Sequence, residues 1–208
     1  MQEIELQEIK MNKIINLPDG PILGSGRISE KFLSLDITTF HKACRYLHEL
    51  PYGYNSDNND PMILFKEKKG TCTTKHAAIA SLAQEQGLMV EKHIGIYAMT
   101  EQIVAGTSDI LEKYKLPFIP MIHCFLVYKQ FMVDLTEGNK NGKKQNIERF
   151  LFSQKVDPCI TGKQEYLLYR KVLKDIILES DAFFGLNINT ILKAREEGLA
   201  LLKASISL

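Results

Sequence analysis

The sequence predicts an α+β fold in which a central buried helix packs on an antiparallel sheet. Three observations favour this class. An apolar helix begins at or next to Cys72 and ends near Gly87. Two apolar runs between residues 121 and 138 are typical of a β-hairpin, and amphipathic helical patterns follow toward the C-terminus.

Length and composition are those of a soluble globular protein. Of the 208 residues, 45% are hydrophobic and 25% are charged, and the formal net charge is +1. We predict one domain over residues 1–208, with a core at about 36–138 and a C-terminal helical segment at about 162–205. A charge so close to zero lacks the positive surface that nucleic-acid binding requires, so we predict no nucleic-acid partner.

The cysteines and the N-terminus bear on the cellular compartment. Cys44, Cys72, Cys124 and Cys159 lie far apart and form no Cys-x-x-Cys pair, so we expect reduced thiols. The acidic N-terminus lacks the continuous apolar stretch of a signal peptide, and no apolar run approaches transmembrane length. We therefore predict a cytoplasmic protein without membrane contact.

The helix after the Lys-Gly-Thr segment carries a thiol at its N-terminus. Gly70 and Thr71 interrupt a lysine-rich run, which indicates a sharp entry into the helix. Apolar residues at 77–83 cover most of the helix circumference, which indicates burial. The positive end of the helix dipole favours thiolate, so Cys72 is our candidate nucleophile. The alternative is an ordinary buried cysteine, a common core residue.

A long polar loop precedes this helix. Residues 50–61 are dense in Asn, Asp, Gly and Pro, and long loops in compact domains are often functional. The loop carries Tyr52, Tyr54 and Asn55, which we name as candidate oxyanion or substrate contacts.

Further elements upstream follow from turn signals and periodicity. Residues 1–35 are turn-rich and are predicted to wrap the body as loop. Asp36 is expected to cap a helix at about 37–50, with Cys44 on its apolar face. Residues 62–67 then form a short apolar approach to the next helix.

Downstream, residues 88–100 are predicted to form a strand with His93 out of phase and facing solvent. Residues 136–147 form a polar loop with solvated lysines that can border a cleft. Three more helices are predicted. They cover residues 108–114, 164–179 and 188–204, and Asn187 caps the last of them.

The predicted hairpin brings an imidazole and a carboxylate together. With a turn at residues 129–130, Phe125 faces Asp134, and His123 lies one pair further along on the same face. Such diagonal neighbours are about 7–8 Å apart, within reach of two polar side chains. Cys124 points to the opposite face, which favours packing. Alternatively, Asp134 only caps the turn that follows it.

Cys72, His123 and Asp134 can supply a nucleophile, a base and an orienting acid. The acid would bind one imidazole nitrogen and leave the other to act on the thiol. His76 lies four residues after Cys72 on the same helix face and is an alternative base. A zinc site of Cys72, His76 and His123 would be one ligand short, so we predict no metal and no cofactor.

These segments resemble the transglutaminase-like superfamily, whose members have a papain-like architecture. The resemblance covers about residues 50–138. It includes Gly70-Thr71-Cys72 at a helix start, His123 on an apolar strand, and the Val-Asp-Leu-Thr segment that contains Asp134.

Within that superfamily, the segment from Leu50-Pro-Tyr-Gly-Tyr-Asn55 to Gly-Thr-Cys-Thr-Thr-Lys-His76 looks like a little-studied bacterial branch. Many members place a tryptophan beside the histidine or in the oxyanion region, and this chain has none.

The resemblance implies thiol acyl chemistry on a peptide, protein or small amide. A thiolate attacks an amide or thioester carbonyl, and the acyl group passes to an amine or to water. Peptide hydrolysis, glutamine deamidation and cross-linking share these steps, and the sequence does not choose among them. The competing hypothesis is an inactive relative that binds a peptide in the cleft. No oligomeric state is predicted.

Overall fold

An antiparallel sheet forms the centre of the computed structural model, which describes residues 14–206. In that part of the chain the sheet has four strands, in the spatial order β3-β2-β1-β4. The α+β class predicted above is confirmed. The strands are β1 (Glu91–Met99), β2 (Ile119–Tyr128), β3 (Phe131–Val133) and β4 (Phe152–Lys155).

Helices cover both faces of the sheet. The first group packs with Leu126 and Val133 around one core, and the second packs with Ile119 and Met121 around another. Alternation of side chains along β2 separates the two cores, because successive residues point to opposite faces. The first group is α1 (Arg27–Leu33), α2 (Phe40–Glu49), α3 (Ile63–Glu67) and α4 (Cys72–Glu85), and the second is α5 (Thr107–Tyr114), α6 (Gly162–Val172) and α7 (Ile188–Ile206).

Helix α1 corrects the prediction of loop for residues 1–35, of which 1–13 lie outside the described residues. Its first-turn N–H groups at Ile28 and Ser29 donate to the carboxylate of Glu85, at 2.9 and 2.6 Å. A cap from the end of a distant helix leaves no local sequence signal. This explains why the periodicity did not reveal the helix.

Helix α2 starts later than predicted. Thr39, not Asp36, is the N-cap, and its side chain accepts a hydrogen bond from the Lys42 N–H. Asp36 has a φ of 57° and lies in the turn before the helix. Aspartate tolerates this left-handed conformation better than most residues, so its presence here reflects the turn and not a cap.

The segment at 62–67 is also helical. It forms α3, which ends where Lys68 adopts a φ of 52°. Its apolar residues pack into the core as the approach to α4.

Two features of β1 and its edge partner differ from the prediction. His93 is not solvent-facing: its side chain is 18% exposed, and its ring lies 5.7 Å from that of Phe125. Lys92, on the opposite face, is buried and donates to the carbonyl of Pro158. Strand β4 was not predicted, because its side chains are mostly exposed and show no apolar alternation.

The hairpin and the C-terminal helices follow the predicted pattern. Val127 pairs with Met132 around a turn at 129–130, as expected. The side chain of Asn187 accepts a hydrogen bond from the backbone N–H of Asn189 at the start of α7. Gly198 weakens α7 as an isolated helix, but a Cβ there would lie 2.9 Å from Cε of Met99, so glycine permits close packing on the sheet.

No helix between residues 14 and 206 combines the length and the apolar character that a bilayer span requires. Cys44, Cys72, Cys124 and Cys159 are all unpaired.

Candidate active site

The first turn of α4 carries the predicted nucleophile. Cys72 is the first residue of the helix and Thr71 is its N-cap, whose backbone N–H donates to Oγ1 of Thr74. A Cβ on Gly70 would lie 2.8 Å from that oxygen, so a larger residue would clash. The N–H of Cys72 has no partner within the helix, because the first N–H groups of an α-helix lack one.

Backbone hydrogen bonds join the preceding loop to this helix start. Tyr52 and Gly70 form a parallel bridge, and the Gly70 N–H donates to the carbonyl of Pro51. Tyr52 therefore lies close enough to Cys72 to interact with its thiol and its backbone N–H. Burial, and then the neighbouring thiol, raise the pKa of Tyr52 well above its usual value. The phenol keeps its proton at neutral pH and can donate it.

Asn55 does not reach the site as an oxyanion donor. Its amide nitrogen donates to the Glu67 carboxylate at 2.9 Å and to the carbonyl of Lys69 at 3.0 Å. Its Oδ1 accepts from the Thr74 hydroxyl. Because both amide hydrogens are engaged, Asn55 anchors the loop to α4 and is not available to a substrate.

His123 and Asp134 are in direct contact. The imidazole Nε2 lies 2.6 Å from Oδ2 of Asp134, and the two side chains are 2% and 8% exposed. Oδ1 accepts from the N–H and the hydroxyl of Thr136, each at 2.7 Å. One oxygen of Asp134 therefore contacts the imidazole while the other caps the turn, so the two alternatives for Asp134 do not exclude each other.

The charges of these residues are coupled to Cys72. A hydrogen bond from the Cys124 thiol and the charge of His123 hold the pKa of Cys72 well below its usual value, although burial opposes this. Burial also disfavours the charged imidazole, but Asp134 and then Cys72 raise the pKa of His123 to about 9. Both shifts favour a proton on the imidazole of His123 over a proton on the sulfur of Cys72. Since Nε2 of His123 is bound to Asp134, Nδ1 is the nitrogen left for the sulfur.

Cys124 is buried as predicted, but it does more than pack. Its sulfur lies 3.7 Å from the Thr73 hydroxyl, and the pKa of its thiol is raised well above its usual value by the hydrogen bond to Cys72 and by burial. His123 and Cys124 are consecutive residues, so their Cα atoms are only about 3.8 Å apart. The sulfur of Cys72 can therefore lie near both side chains, although these point to opposite faces of the strand.

His76 is not available as the base. Its Nδ1 donates to the Cys72 carbonyl at 2.8 Å, and its Nε2 accepts from the Leu135 N–H at 2.8 Å. Both nitrogens are occupied, so the ring neither takes the thiol proton nor binds a metal. Within residues 14–206, no group of three or more His, Cys, Asp or Glu side chains is arranged to hold a metal ion.

An aromatic ring supports the imidazole from behind. Gly95 on β1 pairs with His123, and a Cβ there would lie 2.2 Å from the Phe150 ring. Phe150 fills this space and stacks on His123 at 6.5 Å and 9°, and on Phe125 at 4.6 Å. The chain thus has an aromatic wall beside the histidine although it lacks tryptophan. No pattern near residue 150 indicated this role.

A cleft of about 200 Å³ opens over Cys72. Tyr52 and Tyr54 line one side, so two of the three loop candidates do face the predicted nucleophile. Burial raises the pKa of Tyr54 to about 12. The C-terminal helices also line the cleft, through Glu165 from α6 and Arg195 from α7.

Three charged residues of this cleft were not identified from the sequence: Glu165, Arg195 and Lys143. The polar loop at 136–147 does border the cleft. Lys140 and Lys144 are exposed as predicted, whereas Lys143 is half-buried and lines the cleft. Its Nζ lies 5.9 Å from the centre of the Tyr52 ring, and burial lowers its pKa against the opposing charge of Cys72. The residues lie far from Cys72 in the chain, so no local spacing indicates them.

Comparison of the chain with protein-family models, with curated proteins and with solved structures found no match. The transglutaminase-like resemblance therefore rests on the motifs described above.

Proposed function

We propose that the protein is a cysteine-dependent hydrolase or acyltransferase of transglutaminase-like, papain-like architecture that acts on an amide. The observation that carries this proposal is the contact between His123 and Asp134, in a cleft where the same imidazole stabilises the Cys72 thiolate. A nucleophile, a base and an orienting acid are the parts that covalent acyl transfer requires.

In the first half-reaction, the Cys72 thiolate attacks the carbonyl carbon and forms a carbon–sulfur bond. The N–H of Cys72 and the Tyr52 hydroxyl stabilise the oxyanion, and the His123 imidazolium gives its proton to the leaving nitrogen as the carbon–nitrogen bond breaks. Asp134 stabilises the charged imidazole throughout. The product of this step is a thioester on Cys72 and a free amine.

In the second half-reaction, neutral His123 takes a proton from water or from an acceptor amine, which attacks the thioester. The carbon–sulfur bond breaks, and the thiolate and imidazolium are restored. Hydrolysis and amine transfer differ only in the acceptor, so the same residues serve both outcomes.

A thiol-directed activity probe tests the proposal. Cys72 should be labelled faster at pH 7 than exposed Cys159, because its lowered pKa favours the thiolate. Equal or slower labelling of Cys72 would favour the inactive peptide-binding module. Mass spectrometry of a cell lysate treated with wild-type or Cys72→Ala protein would then identify products that depend on the thiol.

A further inference from the structure

Arg195 is a cation in the same cleft as Cys72, and its hydrogen-bonding capacity is incompletely used. Its side chain is 15% exposed, and within residues 14–206 its buried Nε has no hydrogen-bond partner. Its Nη1 binds Glu196, the next residue in the chain, whose side chain is 69% exposed. Exposed ion pairs are weak, so a ligand can readily replace this contact.

The guanidinium of Arg195 lies over an aromatic ring. Its Cζ lies 4.9 Å from the centre of the Tyr169 ring, and the Tyr169 hydroxyl is held by the carbonyl of Pro120. A cation–π contact uses none of the N–H donors of an arginine, so these remain able to bind a carboxylate, with which arginine can form two parallel hydrogen bonds.

The charges around the cleft also favour an anion. Glu165 also lines the cleft. Among the described residues it forms no ion pair with Arg195 within 4.0 Å. Burial, and then the Cys72 charge, raise the pKa of Glu165. Lys143 is a second basic residue that lines the cleft, although burial lowers its pKa.

We propose that Arg195 binds a carboxylate of the acyl donor, so that the cleft selects a small amide or thioester that carries a carboxylate. This inference rests on the proposed function. The cleft of about 200 Å³ is smaller than the roughly 300–1,000 Å³ of pockets for drug-sized ligands, which limits the bound acyl group to about the size of one amino-acid residue.

Matched alkylating reagents test this proposal on the intact protein. N-iodoacetylglycine and N-iodoacetylglycinamide differ only in a carboxylate against an amide, and the corresponding β-alanine pair moves that group one CH₂ further from the sulfur. The measurement is the second-order rate of Cys72 alkylation by each reagent. The rate ratio within a pair cancels changes in the thiol pKa, because both reagents meet the same thiolate.

In the wild type, at least one pair should show a carboxylate preference of about tenfold or more. The preference should fall to about one in Arg195→Met and be partly kept in Arg195→Lys. Arg170→Met is the matched control, because Arg170 lies over the Tyr166 ring on α6 and does not line the cleft. Ratios at or below one for both pairs, or a ratio unchanged by Arg195→Met, would overturn the proposal.

A binding measurement separates this inference from the proposed function. Titration of Cys72→Ala protein with N-acetylglycine and N-acetylglycinamide, followed by NMR, requires no reactive thiol. Carboxylate-selective binding that Arg195→Lys weakens would support the Arg195 site even if Cys72 transfers no acyl group. If the Cys72→Ala protein binds the two compounds equally while Cys72 of the wild type reacts rapidly, the Arg195 proposal is wrong and the proposed function stands. Thermal unfolding checks that each variant is folded.

Discussion

The imidazole Nε2 of His123 lies 2.6 Å from Oδ2 of Asp134, a contact between residues eleven positions apart on the two sides of one hairpin. Burial alone would raise the pKa of Asp134, but the charge of His123 and the hydrogen bond from it hold this pKa well below its usual value. The carboxylate is therefore a fixed negative charge that retains the proton on His123.

Replacement of this carboxylate should suppress the chemistry without unfolding the site. In Asp134→Asn the amide cannot stabilise the imidazolium, so the thiolate loses its partner. Turnover of the substrate found in lysate should fall roughly 10²- to 10⁴-fold, the range for a lost acid–base function. The control is Thr136→Val, which removes one hydrogen bond to the other carboxylate oxygen. An equal loss in both variants would contradict an orienting role for Asp134.

The two histidines near Cys72 should behave differently on replacement. His123→Ala should raise the apparent thiol pKa, measured as the rate of iodoacetamide alkylation against pH. His76→Ala should instead destabilise the fold by about 1–3 kcal/mol, because it leaves the buried Leu135 N–H without its partner and removes the side-chain hydrogen bond to the Cys72 carbonyl. If only the His76 variant raises the thiol pKa, the base is misassigned.

The thiolate–imidazolium pair predicts an unusual dependence of stability on pH. His123 has a folded pKa of about 9 against its usual 6.5, so its contribution is present below pH 6.5 and is lost as pH rises through about 9. The Cys72 thiol works in the opposite sense, because its pKa is lowered from 9.0. Its contribution is present above pH 9 and is lost as pH falls through the lowered value.

When the lowered Cys72 pKa lies below 6.5, the two effects cancel between pH 6.5 and 9, since the folded pair and the unfolded chain then hold the same number of protons. The free energy of unfolding should therefore change little between pH 6.5 and 9 on account of this pair. In Cys72→Ala, only His123 remains, and stability should decrease with rising pH over that range. Urea titrations at several pH values measure how the free energy of unfolding changes with pH in the wild type and in Cys72→Ala. The same pH dependence in both proteins would show that no proton moves from sulfur to imidazole.

The buried thiol of Cys124 should tune its neighbour. Cys124→Ala removes the hydrogen bond to the Cys72 thiolate, so iodoacetamide alkylation of Cys72 at pH 6 should slow several-fold. Cys124→Ser keeps a donor and should retain most of the rate. Cys44→Ala is a control for the loss of a buried cysteine elsewhere in the core. If Cys44→Ala and Cys124→Ala slow the alkylation of Cys72 equally, the effect comes from a general loss of core packing and not from the hydrogen bond.

The packing of Phe150 behind His123 should depend on the glycine opposite. Gly95→Ala places a methyl group within 2.2 Å of the Phe150 ring and should destabilise the fold by about 1–3 kcal/mol while displacing the ring from the imidazole. Phe150→Leu should make room for the methyl group, so the double variant should lose less than the two single changes together. Additive losses in unfolding free energy would mean that the two residues act independently.

Local sequence predicted the elements that carry the candidate triad. The helix begins at Cys72 because Gly70 and Thr71 form its entry, and the hairpin register follows from the apolar alternation on either side of residues 129–130. Once that register is known, the meeting of His123 and Asp134 follows from strand geometry alone. These features depend on residues that are close together in the chain, so the sequence alone predicts them.

Tertiary structure alone decided what surrounds these residues. The cap of α1 by Glu85, the stacking of Phe150 on His123, and the place of Arg195 in the cleft each join distant parts of the chain. Such contacts are set by how whole elements pack, and no spacing within one element encodes them. For the same physical reason His76, which shares a helix face with Cys72, is held by the backbone after β3 and not by the sulfur.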